Sequence, residues 1–184
     1  IERGDRLLLT GNEGQGKSIL LQQLAAQISM GLHPVTGEDI EPRRVLLFDL
    51  ENSEPQIRRK FKQFMPRWEE FPGKYLGVNI HPAGLDLLRP EDRFALQAIL
   101  MDEKPDILVA GPLYKLSSNI IDDPTAKTLI TFLDDIRSSL NIALLLETHE
   151  PHEVMGPSKE GIKSVRPARP YGSSLWRRWP EFGF

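Results

Sequence analysis

The sequence predicts an α/β fold, a mainly parallel sheet flanked by helices on both faces. Three observations carry that expectation. Short apolar runs alternate with helix-length segments along the chain, as in strand–helix–strand units. The first run leads into Gly11-Asn12-Glu13-Gly14-Gln15-Gly16-Lys17-Ser18, which reads G-x-x-x-x-G-K-S, and an apolar helix-like stretch follows. Two later runs gain polar side chains only at their C-terminal ends, Asp49 and Glu51 in one, Thr148 and His149 in the other, where open α/β sheets collect functional groups.

Composition narrows the class. The chain has 184 residues, 40% hydrophobic and 27% charged, an ordinary globular balance that fits one domain over residues 1–184 with a sizeable core. No run of about 18 apolar residues exists, so no membrane span is expected. The absence of Cys excludes disulfides and thiolate metal sites and agrees with a cytoplasmic location. A net charge of −3 argues against a uniformly basic surface that coats nucleic acid, while leaving room for a local basic loop. The chain starts at Ile1 rather than Met and stops abruptly at Phe184, which reads as a fragment of a longer protein.

The elements follow in order. Leu7–Thr10 is a first buried strand and Lys17–Gly31 a helix, apolar on most faces and so expected to be well buried. Residues 33–42 are rich in turn formers. Val45–Glu51 is a second strand, whose alternation puts Asp49 and Glu51 on one face. Glu54–Phe64 is amphipathic, with Ile57, Phe61 and Phe64 on the apolar stripe and Arg58, Arg59, Lys60 and Lys62 as a solvated face. Pro66–Gly73 is irregular, and Leu76–Ile80 is a short strand candidate. Pro90–Glu103 is a helix with Pro at its first turn. Ile107–Ala110 is a strand ending at Gly111-Pro112, and a loop follows. Asp123 reads as the cap of a helix running from Pro124 to Leu140, with Asn141 at its end. Ile142–Glu147 is a further buried strand that delivers Thr148 and His149 at its tip. Apolar periodicity vanishes from Glu150 to Tyr171, the mark of a long functional or mobile loop. Gly172–Trp176 restarts order as a short helix, and Trp179–Phe184 begins a final strand.

The glycine-rich segment has the context of a phosphate-binding loop. Glycine lets the backbone curl so that N–H groups point inward, and the N-terminus of the next helix adds partial positive charge. Residues Gly11, Asn12, Glu13, Gly14, Gln15, Gly16, Lys17, Ser18 and Ile19 form the expected nucleotide contact set. Lys17 reaches the β- and γ-phosphates and the Ser18 hydroxyl ligates Mg²⁺. His149 and His152 lie near Glu150 and Glu153, but the spacing is not that of a helical zinc motif.

Five segments together resemble a known family: G-N-E-G-Q-G-K-S, V-L-L-F-D-L-E-N, P-D-I-L-V-A-G-P-L-Y-K-L, L-L-E-T-H and G-S-S-L-W-R-R-W-P. They are similar to the RecA-like P-loop ATPase core, and most of all to the RepA-type hexameric helicase branch of the AAA-family ATPases found in phages and plasmids. The resemblance implies ATP and Mg²⁺ as cofactors, hydrolysis, single-stranded DNA as partner, and assembly into a hexameric ring or filament. It implies that Glu51 polarises the attacking water and that His149 senses the γ-phosphate. Asp49 either assists Mg²⁺-bound water or is structural. Lys159, Lys163, Arg166 and Arg169 would line a DNA-contacting loop, with Lys115 a weaker candidate. Arg178, beside Arg177, would supply a finger to the ATP of the adjacent subunit. Gly111 departs from the family pattern, which places Asp at this strand end to support Mg²⁺. Three readings follow: another acid, Asp49 or Glu51, covers that shell; hydrolysis is slow; or the protein is a nucleotide-dependent binding module or loader acting on a protein partner. A small-molecule P-loop kinase is a third option, with no arginine-rich lid to announce it.

Overall fold

A computed structural model describes residues 1–64, 75–117, 119–151, 154–158, 161–165 and 169–183. Strand β1 (Arg6–Gly11) leads through the glycine-rich loop into helix α1 (Lys17–Ser29). Then come β2 (Val45–Asp49), α2 (Glu54–Phe64), β3 (Leu76–Ile80), α3 (Pro90–Glu103), β4 (Ile107–Gly111), α4 (Asp123–Leu140) and β5 (Ala143–His149). The chain continues with β6 (Val154–Ser158), β7 (Gly161–Val165), a 3-10 turn at Ser174–Arg177 and β8 (Phe182–Gly183). Six strands form one sheet in the order β3-β2-β4-β5-β1-β8, and every pairing in it is parallel. The α/β expectation holds, and its physical basis is visible along each strand.

Strand side chains alternate between two cores. Leu7, Val45, Leu47, Ile107, Val109, Ala143 and Leu145 face α1 and α2 with Leu21, Ala25, Ala26, Ile57 and Phe61. Leu8, Leu46, Phe48, Leu108, Ala110, Leu144 and Leu146 face the opposite way, onto Leu96 and Leu100 of α3, Leu129, Phe132 and Leu133 of α4, and Trp176. A strand covered on both faces must be apolar at every position, which is why the central strands read as unbroken hydrophobic runs. Each fully buried Leu or Phe contributes roughly 1.5–3 kcal/mol relative to exposure. No helix among the described residues is long and apolar enough to cross a membrane.

Four expectations need correction. Helix α1 is buried on one stripe only, and Ile19 and Leu20 remain 42% and 46% exposed, because a helix laid on a sheet covers a single face. Strand β2 ends at Asp49, so Asp49 is buried and Glu51 exposed rather than both lying on one strand face. The Asp49 Oδ1 accepts the Glu51 and Asn52 N–H groups at 3.0 and 2.6 Å, which turns the chain out of the strand. The cap of α4 is Asp122, whose Oδ1 accepts the Thr125 N–H at 2.8 Å; Asp123 instead accepts the Ser173 hydroxyl. Finally, the stretch from Glu150 to Tyr171 contains the antiparallel pair β6–β7, in register from Val154↔Val165 to Ser158↔Gly161. Its strands escape a periodicity reading because Gly, Pro, Ser and Lys dilute the apolar positions. The Pro66–Gly73 segment lies outside the described residues.

The C-terminal end is tied to β1 by charge. Arg6 donates from Nε to both Glu181 oxygens at 3.0 Å and from its backbone N–H at 2.7 Å, and a further guanidinium contact joins the pair. Arg6 Nη1 also reaches Asp134 at 3.0 Å, and its guanidinium lies 5.4 Å from the Trp179 ring centroid. Hydrogen bonding from Arg6 holds the Glu181 carboxyl down at about 2, against an ordinary value of 4.5. Because the folded-state value is the lower one, the tether contributes fully above about 4.5, weakens as pH falls, and is gone below about 2. Urea midpoints followed through that window should fall less steeply with acid in Glu181→Gln than in the unaltered chain; equal slopes would mean the tether carries no stability.

Candidate nucleotide-binding site

Register decides which residues can meet. The parallel pairing of β1 with β5 puts Gly11 opposite His149, and that of β2 with β4 puts Asp49 opposite Gly111. All four lie at strand C-termini, where β1 enters the glycine-rich loop. Gly14 and Gly16 take positive φ of 75° and 82°, a backbone open to glycine at little steric cost. At Gly11 a Cβ would lie 2.6 Å from Gln15 Oε1, which accepts the Asn12 N–H at 2.7 Å. The Leu20 N–H bonds Gly16 O at 2.9 Å and starts α1 at the edge of the loop.

Lys17 is 8% exposed. Its Nζ donates to Gly11 O and Asn12 O, both at 2.8 Å, and lies 3.5 Å from His149 Nδ1. An ammonium has only donors, so a hydrogen bond across this gap requires His149 Nδ1 as the acceptor. The cleft above is bounded on one side by Glu13, Gly14, Gly16, Lys17, Ser18 and Ile19, and on the other by Glu51, Lys60, Tyr114 and His149. It holds about 830 Å³ of space open to solvent. Phosphate-loop residues thus line one cleft with Glu51 and His149, and Lys60 leaves its solvated group to join them, donating to Asn52 Oδ1 at 2.9 Å.

Tyr114 was not singled out by sequence reasoning. It follows β4, in a 3-10 turn at Leu113–Lys115, and its hydroxyl donates to Glu51 Oε1 at 2.9 Å. Its ring lies 5.6 Å from that of His149. Burial first, then the bond to Glu51, pushes the phenol up to about 12, so it stays a donor through the neutral range. Glu51, Tyr114, His149 and Lys17 therefore form a continuous line across the cleft. Asp49 has a different setting. Its carboxylate is 6% exposed and occupied by the turn contacts, by Asn52 Nδ2 at 3.1 and 3.0 Å, and by Gln22 Nε2 at 3.3 Å.

Glu147 is the second residue that was overlooked. It ends the apolar part of β5 and is 5% exposed. The Ser18 hydroxyl lies 2.8 and 2.9 Å from its two carboxylate oxygens. Burial pushes its carboxyl up, opposed by the Ser18 bond and by the charge of Lys17. The only sequence signal was an acid closing an otherwise buried run, one residue before Thr148-His149.

The remaining candidates lie elsewhere. Lys159, Arg166, His152 and Glu153 lie outside the described residues, and Lys163 falls on β7. Arg169 is exposed and, with Arg177, borders a separate depression beside Thr10 and Trp176. Arg178 is exposed at the end of the 3-10 turn and does not border the cleft of its own chain. Lys115 Nζ turns to Pro82 O at 3.5 Å. Among the described residues no cluster of three or more His, Asp and Glu makes an all-protein metal site. Magnesium with a nucleotide needs fewer protein ligands, since phosphates and waters complete its shell. A hydroxyl next to the loop lysine and backed by a buried carboxylate fits that requirement.

A buried parallel strand, a glycine loop with left-handed turns, a buried lysine and a serine at a helix start define a P-loop nucleotide-binding protein. The chain belongs to the AAA domain family, whose model matches residues 1–155. That span takes in β1 through β5 and every residue of the cleft. The family carries an ATPase-type nucleotide-binding function and generally uses ATP with Mg²⁺. No curated relative matches the chain.

Lys17→Ala removes the one buried cation of the loop. Calorimetric titration with MgATP should show binding weakened by about ten- to a hundredfold, the worth of a charged hydrogen bond, while thermal unfolding stays cooperative. Unchanged affinity would place the nucleotide somewhere other than this loop.

Proposed function

We propose that the chain is the ATP-hydrolysing motor domain of a RecA-like assembly of the RepA helicase type, acting on single-stranded DNA as a hexameric ring or filament. The observation that carries this reading is the contact line Glu51–Tyr114–His149–Lys17. It joins a carboxylate suited to holding water, at one side of the cleft, to the tip of β5, from which the chain leaves toward β6.

Each residue has a role in that proposal. Backbone N–H groups of Gly14 to Ser18 and the Lys17 ammonium bind the phosphates and neutralise their charge. Magnesium would be held at Ser18 and would offset charge between the β- and γ-phosphates. Glu51 accepts a hydrogen bond from the attacking water, and Tyr114 fixes the carboxylate that does so. His149 presents its Nε2–H as a donor and reports phosphate occupancy into the segment that follows β5. Arg178, exposed on the surface, would reach the cleft of a neighbouring copy and stabilise transition-state charge. Lys163 and Arg169, with Lys159 and Arg166, supply phosphate contacts for a single strand. The alternative is a nucleotide-dependent loader with little turnover, for which Gly111 speaks.

ATP turnover measured on the assembled protein with and without single-stranded DNA separates the two. The motor reading expects DNA-stimulated turnover that is lost in Lys17→Ala and Glu51→Gln; tight binding without turnover in the assembly would favour the loader. Tyr114→Phe should lower kcat by about tenfold with little change in KM, the loss of one hydrogen bond to a charged group. An equal rise in KM would instead assign Tyr114 to nucleotide binding.

A further inference from the structure

We propose that Glu147, on β5, is the metal-facing acid of this site, occupying the space left by the missing side chain of Gly111 on β4. The inference rests on the nucleotide-binding reading and concerns how that site holds its Mg²⁺. The two positions exclude each other. A Cβ at residue 111 would lie 2.4 Å from Glu147 Cγ and 3.3 Å from its Oε1. Any side chain at 111 therefore collides with the Glu147 stem, and glycine is what lets the acid come across from the next strand.

Local chemistry supports the role. A serine hydroxyl that gives a lone pair to a cation must send its proton to an acceptor. Ser18 has that acceptor in Glu147, with both carboxylate oxygens within 2.9 Å. The same slot is lined by Gln22 and Asp49. Gln22 is 1% exposed and its Oε1 has no hydrogen-bond partner, an acceptor left open beside the acid. Asp49 is committed to the turn at Glu51–Asn52 and to Gln22, and Glu51 is held by Tyr114. Of the carboxylates near Ser18, Glu147 is the one bonded to it. Its charge sits where a divalent cation at Ser18 would compensate it, which gives a buried acid a reason to be there.

Affinity for ATP is measured by calorimetry in Mg²⁺ and again in EDTA, and Mn²⁺ binding to the ATP complex is followed by electron paramagnetic resonance. In Glu147→Gln the Mg²⁺-dependent gain in affinity should shrink by roughly 10- to 100-fold and the Mn²⁺ signal should weaken, while affinity in EDTA stays within about twofold. Gly111→Asp alone should lower the Tm. Gly111→Asp combined with Glu147→Ala should recover both the Tm and the metal dependence, because the acid then comes from its other possible strand. A Glu147→Gln protein with the full metal dependence of the unaltered chain overturns the proposal. So does a Gly111→Asp protein that folds and binds normally with Glu147 in place, since the two side chains would then not compete. Failure of the unaltered chain to bind MgATP at all would remove the nucleotide-binding reading itself, a separate outcome.

Discussion

The parallel pairing of β1 with β5 is the constraint on which the site depends. It sets Gly11 opposite His149, and so brings Lys17 Nζ to 3.5 Å from the imidazole. It also brings Glu147 under Ser18 at the start of α1. A slip of one residue would exchange the two faces of β5, moving Leu145 out of the α1–α2 core and Leu144 and Leu146 out of the α3–α4 core. Leucines buried on both sides therefore hold the register, and the register holds the chemistry. The polar end of the sheet inherits its precision from an apolar middle with no chemical role.

A second layer of order comes from polar groups that hold the cleft wall in place, some of them behind it and some within it. Asp49 bonds two backbone N–H groups and Asn52, which ends β2 and swings Glu51 outward. Asn52 in turn accepts from Lys60, drawing a cation of α2 into the cleft wall. Tyr114 then fixes Glu51 from the far side. Buried polar networks of this kind cost stability unless every member is satisfied. Gln22, with one amide atom bonded and one open, is the exception in that network.

Much of this was legible in the sequence, for definite reasons. The central strands were readable because burial on both faces makes them apolar at each position, and their ends came within a residue or two of the observed ones. The glycine loop was readable because its chemistry is contiguous. What escaped was relational. Glu147 matters because of Ser18, more than a hundred positions away, and because of a glycine on the adjacent strand; neither relation leaves a local pattern. Tyr114 meets Glu51 only through the fold. Asp122 and Asp123 are equally competent caps by local rules, and Ser173 decides between them by engaging Asp123. The β6–β7 hairpin was missed because too few of its residues are apolar to show a period of two.

Placing the acid on β5 rather than β4 has a mechanical consequence. Glu147 and His149 are two apart on one strand and so project to the same side. One meets the serine at the proposed metal end of the cleft, and the other meets the lysine at the proposed γ-phosphate end. An acid on β4 would leave those two ends on separate strands, free to shift relative to each other by the slack of an interstrand contact. Here both are fixed to a single backbone, and the same backbone continues past Glu150, whose N–H bonds Gly11 O at 3.3 Å, toward β6. Under the proposed roles, nucleotide and metal would pull on one strand together. With Glu147 as the proposed metal-facing acid, the charge that Gly111 does not supply would come from β5, and the response of the site would concentrate in the element that leads out of it.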